Sequence, residues 1–85
     1  MADALSLRAD LRRIQGDLSG ALEDVDRALD LAPQSAAAWM IRGWVHWQRG
    51  EQAEARADGQ RAFELDPHLA SVQALRRFLE QQPAR

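Results

Sequence analysis

The sequence has no cysteine, which excludes disulfide bonds, thiolate metal sites and cysteine nucleophiles. It also lacks any apolar run near the length of a membrane span, and its first residues carry Asp3 instead of a basic head followed by an apolar stretch. We therefore expect a cytoplasmic protein with no membrane partner.

Charge of one sign is not in excess either. Eleven basic residues, all arginine, stand against thirteen acidic ones, for a net charge of −2. No overall field draws such a chain to nucleic acid or anionic lipid, and exposed arginine doublets such as Arg12 and Arg13 are common on helices, so we expect no nucleic-acid partner. Eighty-five residues allow one small domain, too small for a catalytic domain with a separate cofactor domain.

Motifs for chemistry are missing. The two histidines, His46 and His68, stand in no metal-ligand spacing, and no catalytic triad or phosphate loop is recognisable. Asp24, Asp26 and Asp30 lie on a helix whose other face is apolar, so they are interpreted as a solvated face. We predict no enzyme activity, no metal site and no cofactor.

The central stretch, residues 36–50, holds all three tryptophans. On a helical wheel its apolar side chains cover most of the circumference, and Arg42, His46 and Arg49 occupy the remaining arc. A helix that is apolar nearly all round is normally enclosed by other helices. This stretch is therefore predicted to form the middle of a stack.

The chain repeats itself at an offset of 34 residues. The identical pairs are Ala4/Ala38, Arg8/Arg42, Gly16/Gly50, Ala21/Ala55, Asp24/Asp58, Arg27/Arg61, Ala28/Ala62, Leu31/Leu65 and Pro33/Pro67. Coincidences at one offset indicate two copies of one structural unit. We expect one domain over residues 1–85, with repeat one at about 2–35, repeat two at about 36–69 and a capping helix at about 70–82.

Glycine and proline divide each repeat into two helices. Gly16 and Gly50 are suited to ending the first helix of a unit, and Pro33 and Pro67 stop the second. The last helix carries one apolar stripe, Leu69, Val72, Leu75 and Leu79, backed by polar residues, which is typical of a cap that closes a repeat stack. Five helices are predicted, with a frayed tail over residues 81–85 and a finished C-terminal end.

The two units resemble the tetratricopeptide repeat, a 34-residue helix-turn-helix with the pattern W-x2-L-G-x2-Y, A-x3-F and P. The second unit meets it with Trp39, Arg42, Gly43, His46, Ala55, Gly59 and Pro67, and the first with Leu5, Arg8, Ala9, Arg12, Ala21, Val25 and Pro33. The resemblance implies an all-α fold, a right-handed superhelical array of five helices, that serves as a noncatalytic scaffold for protein binding.

Three departures from the pattern lead to predictions about side-chain packing. Arg8 and Arg42 replace a leucine, and we expect their aliphatic stems to pack while the guanidinium groups stay in water. Gly59 replaces a large aromatic residue; a neighbouring indole or Phe63 is expected to fill the space, with a functional hinge as the alternative. His46 takes the tyrosine position, where a packed or hydrogen-bonded ring is expected.

In tetratricopeptide arrays the first helix of each unit lines the concave surface, so the resemblance also implies the binding residues. We call this predicted surface the aromatic groove, and its members are Met40, Trp44, Trp47, Gln48, Phe78, Asp10 and Arg13. Family members that clamp chaperone carboxylates use lysine and asparagine on these faces, whereas Ser6 and Asp10 stand at two of those positions. That clamp is not indicated.

The two indoles of the groove allow three interpretations. They could be covered core residues, because aromatic stripes at helical spacing usually pack. They could bind an apolar segment of another protein as a helix or extended peptide. Alternatively, a second copy of the chain could bury the groove in a homodimer of a self-assembling module.

Overall fold

A computed structural model describes residues 1–83, and within that range the regular structure is entirely α-helical. The helices are α1 (Ala2–Ile14), α2 (Leu18–Leu31), α3 (Ala36–Gln48), α4 (Gln52–Leu65) and α5 (Ala70–Glu80). The number and order of the helices agree with the predicted repeat, although α5 ends two residues before the expected boundary. Part of the predicted tail, residues 84–85, lies outside the described range.

The turns between the helices of each repeat have the same geometry. Gly16 and Gly50 adopt φ values of 88° and 81°. The following residues, Asp17 and Glu51, donate backbone N–H bonds of 2.8 and 2.9 Å to the carbonyls of Arg12 and His46. These hydrogen bonds belong to Schellman motifs, in which the residue after the helix has a left-handed backbone conformation. Glycine adopts this conformation without steric cost.

Side chains also fix where two helices begin. The Asp17 carboxylate accepts the backbone N–H of Gly20 at 3.0 Å, and the Ser35 hydroxyl accepts that of Ala38 at 3.2 Å. Each cap satisfies a donor that the first turn of a helix leaves free. The starts of α2 and α3 are thus set by local sequence.

Helix α3 lies in the middle of the stack and packs against each of the other four helices, as its apolar circumference predicts. The α3–α4 approach is close at Gly43, where a Cβ atom would lie 3.4 Å from the carbonyl oxygen of Ala55 and 3.1 Å from Leu75 Cδ2. A larger residue at this position would push α4 and α5 away from α3.

The space left by Gly59 is filled differently from the prediction. A Cβ atom at Gly59 would lie 2.9 Å from Leu79 Cδ1 and 3.7 Å from Leu75 Cδ2. Leucines of α5 occupy the place, so neither an indole nor Phe63 fills it. The wheel of α4 alone could not show this, because the filling side chains come from a helix about twenty residues further along.

The guanidinium groups of Arg8 and Arg42 both pair with carboxylates, which was not expected, although the Arg8 side chain keeps 54% of its surface exposed. Arg8 donates two hydrogen bonds of 2.7 and 2.8 Å to Asp24, and Arg42 donates two of 3.0 Å to Asp58. Asp24 and Asp58 are buried, with 2% and 4% of their surface exposed. A buried carboxylate needs a charged or hydrogen-bonding partner, which explains why both guanidinium groups bind these aspartates.

Asp24 therefore does not belong to the solvated face assigned to it, whereas Asp26 and Asp30 are exposed. The Arg8 hydrogen bond holds the pKa of Asp24 below its ordinary value, and the same bond raises the pKa of Arg8. Arg42 also donates a bond of 3.0 Å to Asp26 on α2. It thereby joins the first repeat to the second.

The ring of His46 is held by hydrogen bonding, as expected. Its Nδ1 atom lies 2.7 Å from Glu51 Oε1, at the start of α4. This contact is the main reason that the pKa of Glu51 is lowered. His46 thus fastens the turn between α3 and α4.

Candidate functional site: the aromatic groove

Three helices supply the aromatic groove: α1, α3 and α5, the first helices of the two repeats and the capping helix. Trp44 and Trp47 are three residues apart on α3, and Met40 is one turn earlier, so their side chains share a face. Met40, Trp44, Trp47 and Phe78 all pack against one buried cluster formed by Ala55, Leu75 and Leu79. The structure brings the apolar members of the predicted site together.

Phe78 is the central contact of the apolar part. Its ring centroid lies 5.0 Å from that of Trp44, with the planes tilted by 48°, and 5.1 Å from that of Trp47, with the planes nearly perpendicular at 87°. Tilted and edge-to-face arrangements at this distance are favourable for aromatic pairs. A single side chain from α5 therefore holds both indoles in fixed orientations.

Both indoles and Phe78 are half-buried, so the surface of the groove is neither a closed core nor a fully exposed patch. One side of each ring packs on the buried cluster and the remaining part faces solvent. The interpretation of Trp44 and Trp47 as covered core residues accounts for only part of their surface.

The polar part of the groove is organised by Arg13. Its Nε atom donates to Asp10 at 2.9 Å, and its Nη1 atom donates to Gln48 at 2.7 Å. The guanidinium carbon also lies 5.8 Å from the centroid of Trp44, within the range of a cation–π contact. Arg13 therefore connects the polar residues to the aromatic ones, and the seven predicted residues form one continuous surface.

Sequence reasoning missed the contacts of Arg13 with α3. Arg13 and Trp44 are 31 positions apart, and a wheel drawn for one helix carries no information on the distance to a neighbouring helix.

The sequence did contain a signal for the arginine–aspartate pairs. Arg8/Asp24 and Arg42/Asp58 are both sixteen residues apart, and both belong to the identities of the 34-residue repeat. Opposite charges repeated in this way indicate a cross-helix pair.

The chemistry available in the groove is that of recognition. Aromatic faces bind apolar side chains, and the Arg13, Asp10 and Gln48 groups can order a polar backbone or side chain beside them. Within residues 1–83 no three histidine, aspartate or glutamate side chains are grouped so as to hold a metal ion. None of the helices in that range has the length and hydropathy needed to cross a bilayer.

Comparison with known proteins identifies relatives of the same repeat type. The sequence profile of the tetratricopeptide repeat matches residues 6–70. The chain is similar to the proteins named Tetratricopeptide repeat protein 36 of Bos taurus and Homo sapiens, with 40% and 38% identity over 76 residues, which are 85% of this chain and 40% of each relative. The corresponding protein of Xenopus tropicalis is 37% identical over 78 residues, 87% of this chain and 39% of that protein. The chain thus spans about two fifths of the length of these relatives.

Proposed function

The chain belongs to the tetratricopeptide repeat family, and we propose that it is a noncatalytic scaffold that binds a protein or peptide segment through its aromatic groove. Repeats of this family generally mediate interactions between proteins, and the proteins that carry them are typically scaffolds. The proposal includes a single domain over residues 1–85, made of two repeats and a cap, and a cytoplasmic location.

The observation that carries the proposal is the aromatic cluster of Trp44, Trp47 and Phe78. Its rings are oriented by mutual contacts of 5.0 and 5.1 Å and still leave part of their surface open to solvent. Residues of this kind supply much of the energy in protein interfaces, because they bury a large apolar area at a small cost in side-chain entropy. A site whose rings are already ordered also loses little freedom on binding.

The polar residues beside the cluster suggest how a ligand is oriented. Asp10, Arg13 and Gln48 border the rings on the α1 side and are linked by hydrogen bonds of 2.9 and 2.7 Å. An apolar centre with a polar border is the usual anatomy of a protein interface. The ligand that fits is an amphipathic helix or extended peptide with one or two large apolar side chains as anchors.

A peptide library displayed on phage and selected against the 85-residue chain tests the proposal. Selected peptides should contain aromatic or large aliphatic anchors, and their binding to Trp44→Ala and Trp47→Ala should fall at least about tenfold. Phe63→Ala serves as the control, because Phe63 is a half-buried aromatic residue on α4 outside the groove. It should bind the same peptides as the native chain does.

Circular dichroism of each variant separates a lost site from a lost fold. Native helicity in Trp44→Ala and Trp47→Ala, together with lost binding, supports the proposal. Unfolding of both variants would assign the indoles to the core, and unchanged binding in folded variants would place the site elsewhere.

A further inference from the structure

Helix α1 carries an apolar row on its outer face that no other helix of the described chain covers. Its members are Ala4, Leu7, Leu11 and Ile14, and we call this row the α1 stripe. Leu7, Leu11 and Ile14 have 63%, 50% and 66% of their surface exposed. Leucine and isoleucine exposed together in one row mark an interaction surface more often than isolated apolar residues do.

The repeat itself shows what these positions do elsewhere in the chain. In the 34-residue register, Leu7 corresponds to Ile41 and Leu75, and Leu11 corresponds to Val45 and Leu79. All four counterparts are buried, with at most 7% of their surface exposed. Ile41, for example, belongs to a cluster with Ala9 and Val25 of the preceding repeat. Leu7 and Leu11 therefore occupy positions that pack against another helical unit in the second repeat and in the capping helix.

The other end of the stack does not offer a matching surface. Ser6 and Ala9 of α1 are buried, whereas their counterparts on α5, Ala74 and Arg77, are exposed, as is Gln81. A second copy stacked head to tail would place the α1 stripe on Arg77 and Gln81, which would lose water without gaining a polar partner. The same row on another molecule is apolar and requires no such loss.

We propose that the α1 stripe is a dimer interface in which α1 packs antiparallel against α1 of a second copy about a two-fold axis. The spacings along the row are three, four and three residues, and they read the same in both directions. In the antiparallel arrangement Leu7 faces Leu11 of the second copy, and Ala4 faces Ile14 of the second copy. A two-fold interface requires this reciprocity, since each contact must occur twice.

Charge and size agree with this arrangement. Antiparallel pairing sets the dipoles of the two α1 helices in opposite directions, so that the positive end of each lies beside the negative end of the other. A helix of thirteen residues is about 20 Å long, which limits the interface to roughly 1,000 Å² or less. The dimer is accordingly a weak one that forms at micromolar or higher concentration.

The dimer leaves the aromatic groove free. The indoles belong to α3 and contact Phe78 of α5, and the Arg13 side chain turns toward Gln48 of α3. The resulting assembly presents two grooves, which raises the avidity for any ligand that carries two binding segments. Self-association and ligand binding are therefore separable by mutation.

Sedimentation velocity over a concentration series tests the proposal on the 85-residue chain. The native chain should shift from monomer to dimer between low micromolar and millimolar concentration. The double variant Leu7→Gln/Leu11→Gln should stay helical, because both side chains are exposed, and its dimer dissociation constant should rise roughly a hundredfold. Ala74→Glu is the control: it changes the outer face of α5, so it would disrupt a head-to-tail stack but leaves the two-fold dimer unchanged.

Cysteine cross-linking tests the direction of pairing. Because the native chain has no cysteine, disulfides can form only at the introduced positions. A mixture of Ala4→Cys and Ile14→Cys chains should form mixed disulfides faster than either chain alone. Equal or faster cross-linking of each variant with itself would overturn the antiparallel arrangement. A native chain that remains monomeric at millimolar concentration, or a dimer that the double leucine variant does not weaken, would overturn the interface itself. Neither result bears on the groove, whose test uses Trp44 and Trp47.

Discussion

Arg42 on α3 faces Asp58 on α4 through two hydrogen bonds of 3.0 Å, and the carboxylate is 4% exposed. The same relationship occurs 34 residues earlier between Arg8 and Asp24. Each repeat thus has a doubly hydrogen-bonded arginine–aspartate pair between its two helices. The pair is worth little as a net contribution to stability, but removing the arginine deprives a buried carboxylate of its two guanidinium hydrogen bonds.

Replacement of Arg42 should therefore be strongly destabilising. We expect Arg42→Gln to lower the free energy of unfolding by about 3 kcal/mol, because Asp58 would remain buried without its two guanidinium bonds. Urea unfolding followed by circular dichroism measures the change. Arg61→Gln is the control, since Arg61 makes an exposed pair with Glu64 at 3.6 Å, and it should change stability by less than about 1 kcal/mol.

Acid should destabilise the protein through Asp24. The pKa of Asp24 is lowered in the folded state, so its contribution is fully present above the unfolded pKa of about 3.9 and is lost as the pH falls through the folded pKa. The lowered pKa of Glu51 acts in the same direction. Unfolding in urea at a series of pH values from neutral to about pH 2 should show falling stability.

Asp24→Asn measures how much of the acid dependence of stability is due to the Asp24 carboxylate. The variant should be less stable than the native chain at neutral pH, because a neutral amide accepts weaker bonds from Arg8, and its stability should fall less steeply in acid. An acid dependence as steep as that of the native chain would show that other carboxylates account for it.

Gly50 should resist replacement by alanine because of its backbone conformation. Its φ of 81° lies in the left-handed region, while a Cβ atom there would meet nothing within 4 Å. Gly50→Ala should therefore cost roughly 1 kcal/mol through conformation alone, and Gly50→Asn should cost less, because asparagine tolerates this region better. Thermal unfolding of the three proteins checks the order, and an alanine variant as stable as the native chain would contradict it.

Gly59 should tolerate alanine but not the aromatic residue that the family pattern places there. In Gly59→Ala, the gain in helix propensity of about 1 kcal/mol offsets the free-energy cost of a small movement of the end of the Leu79 side chain. In Gly59→Phe, the ring would displace Leu75 and Leu79 and should cost about 1–3 kcal/mol. The urea concentrations at the unfolding midpoints of both variants and the native chain test this order of stability. A phenylalanine variant more stable than the native chain would show that α5 can move aside.

Sequence alone determined the repeat, the family and most helix boundaries. These depend on local preferences and on periodicity: Gly16 and Gly50 adopt a conformation that few residues accept, Asp17 and Ser35 cap their own helices, and Pro33 and Pro67 stop the helices before them. The face of α3 that carries Met40, Trp44 and Trp47 also follows from residue spacing. Each of these properties is set within a few residues of the chain.

Only the tertiary structure decided what lies between the helices. The burial of Asp24 against Arg8, the filling of the Gly59 space by Leu79 and Leu75, and the half-buried state of Trp44 and Trp47 all depend on how closely separate helices approach. The exposure of Leu7 and Leu11 depends equally on the absence of a covering helix among residues 1–83. The helical pattern of a sequence fixes the direction in which each side chain leaves its helix. The distance between two helix axes is set by all the side chains that pack between the helices.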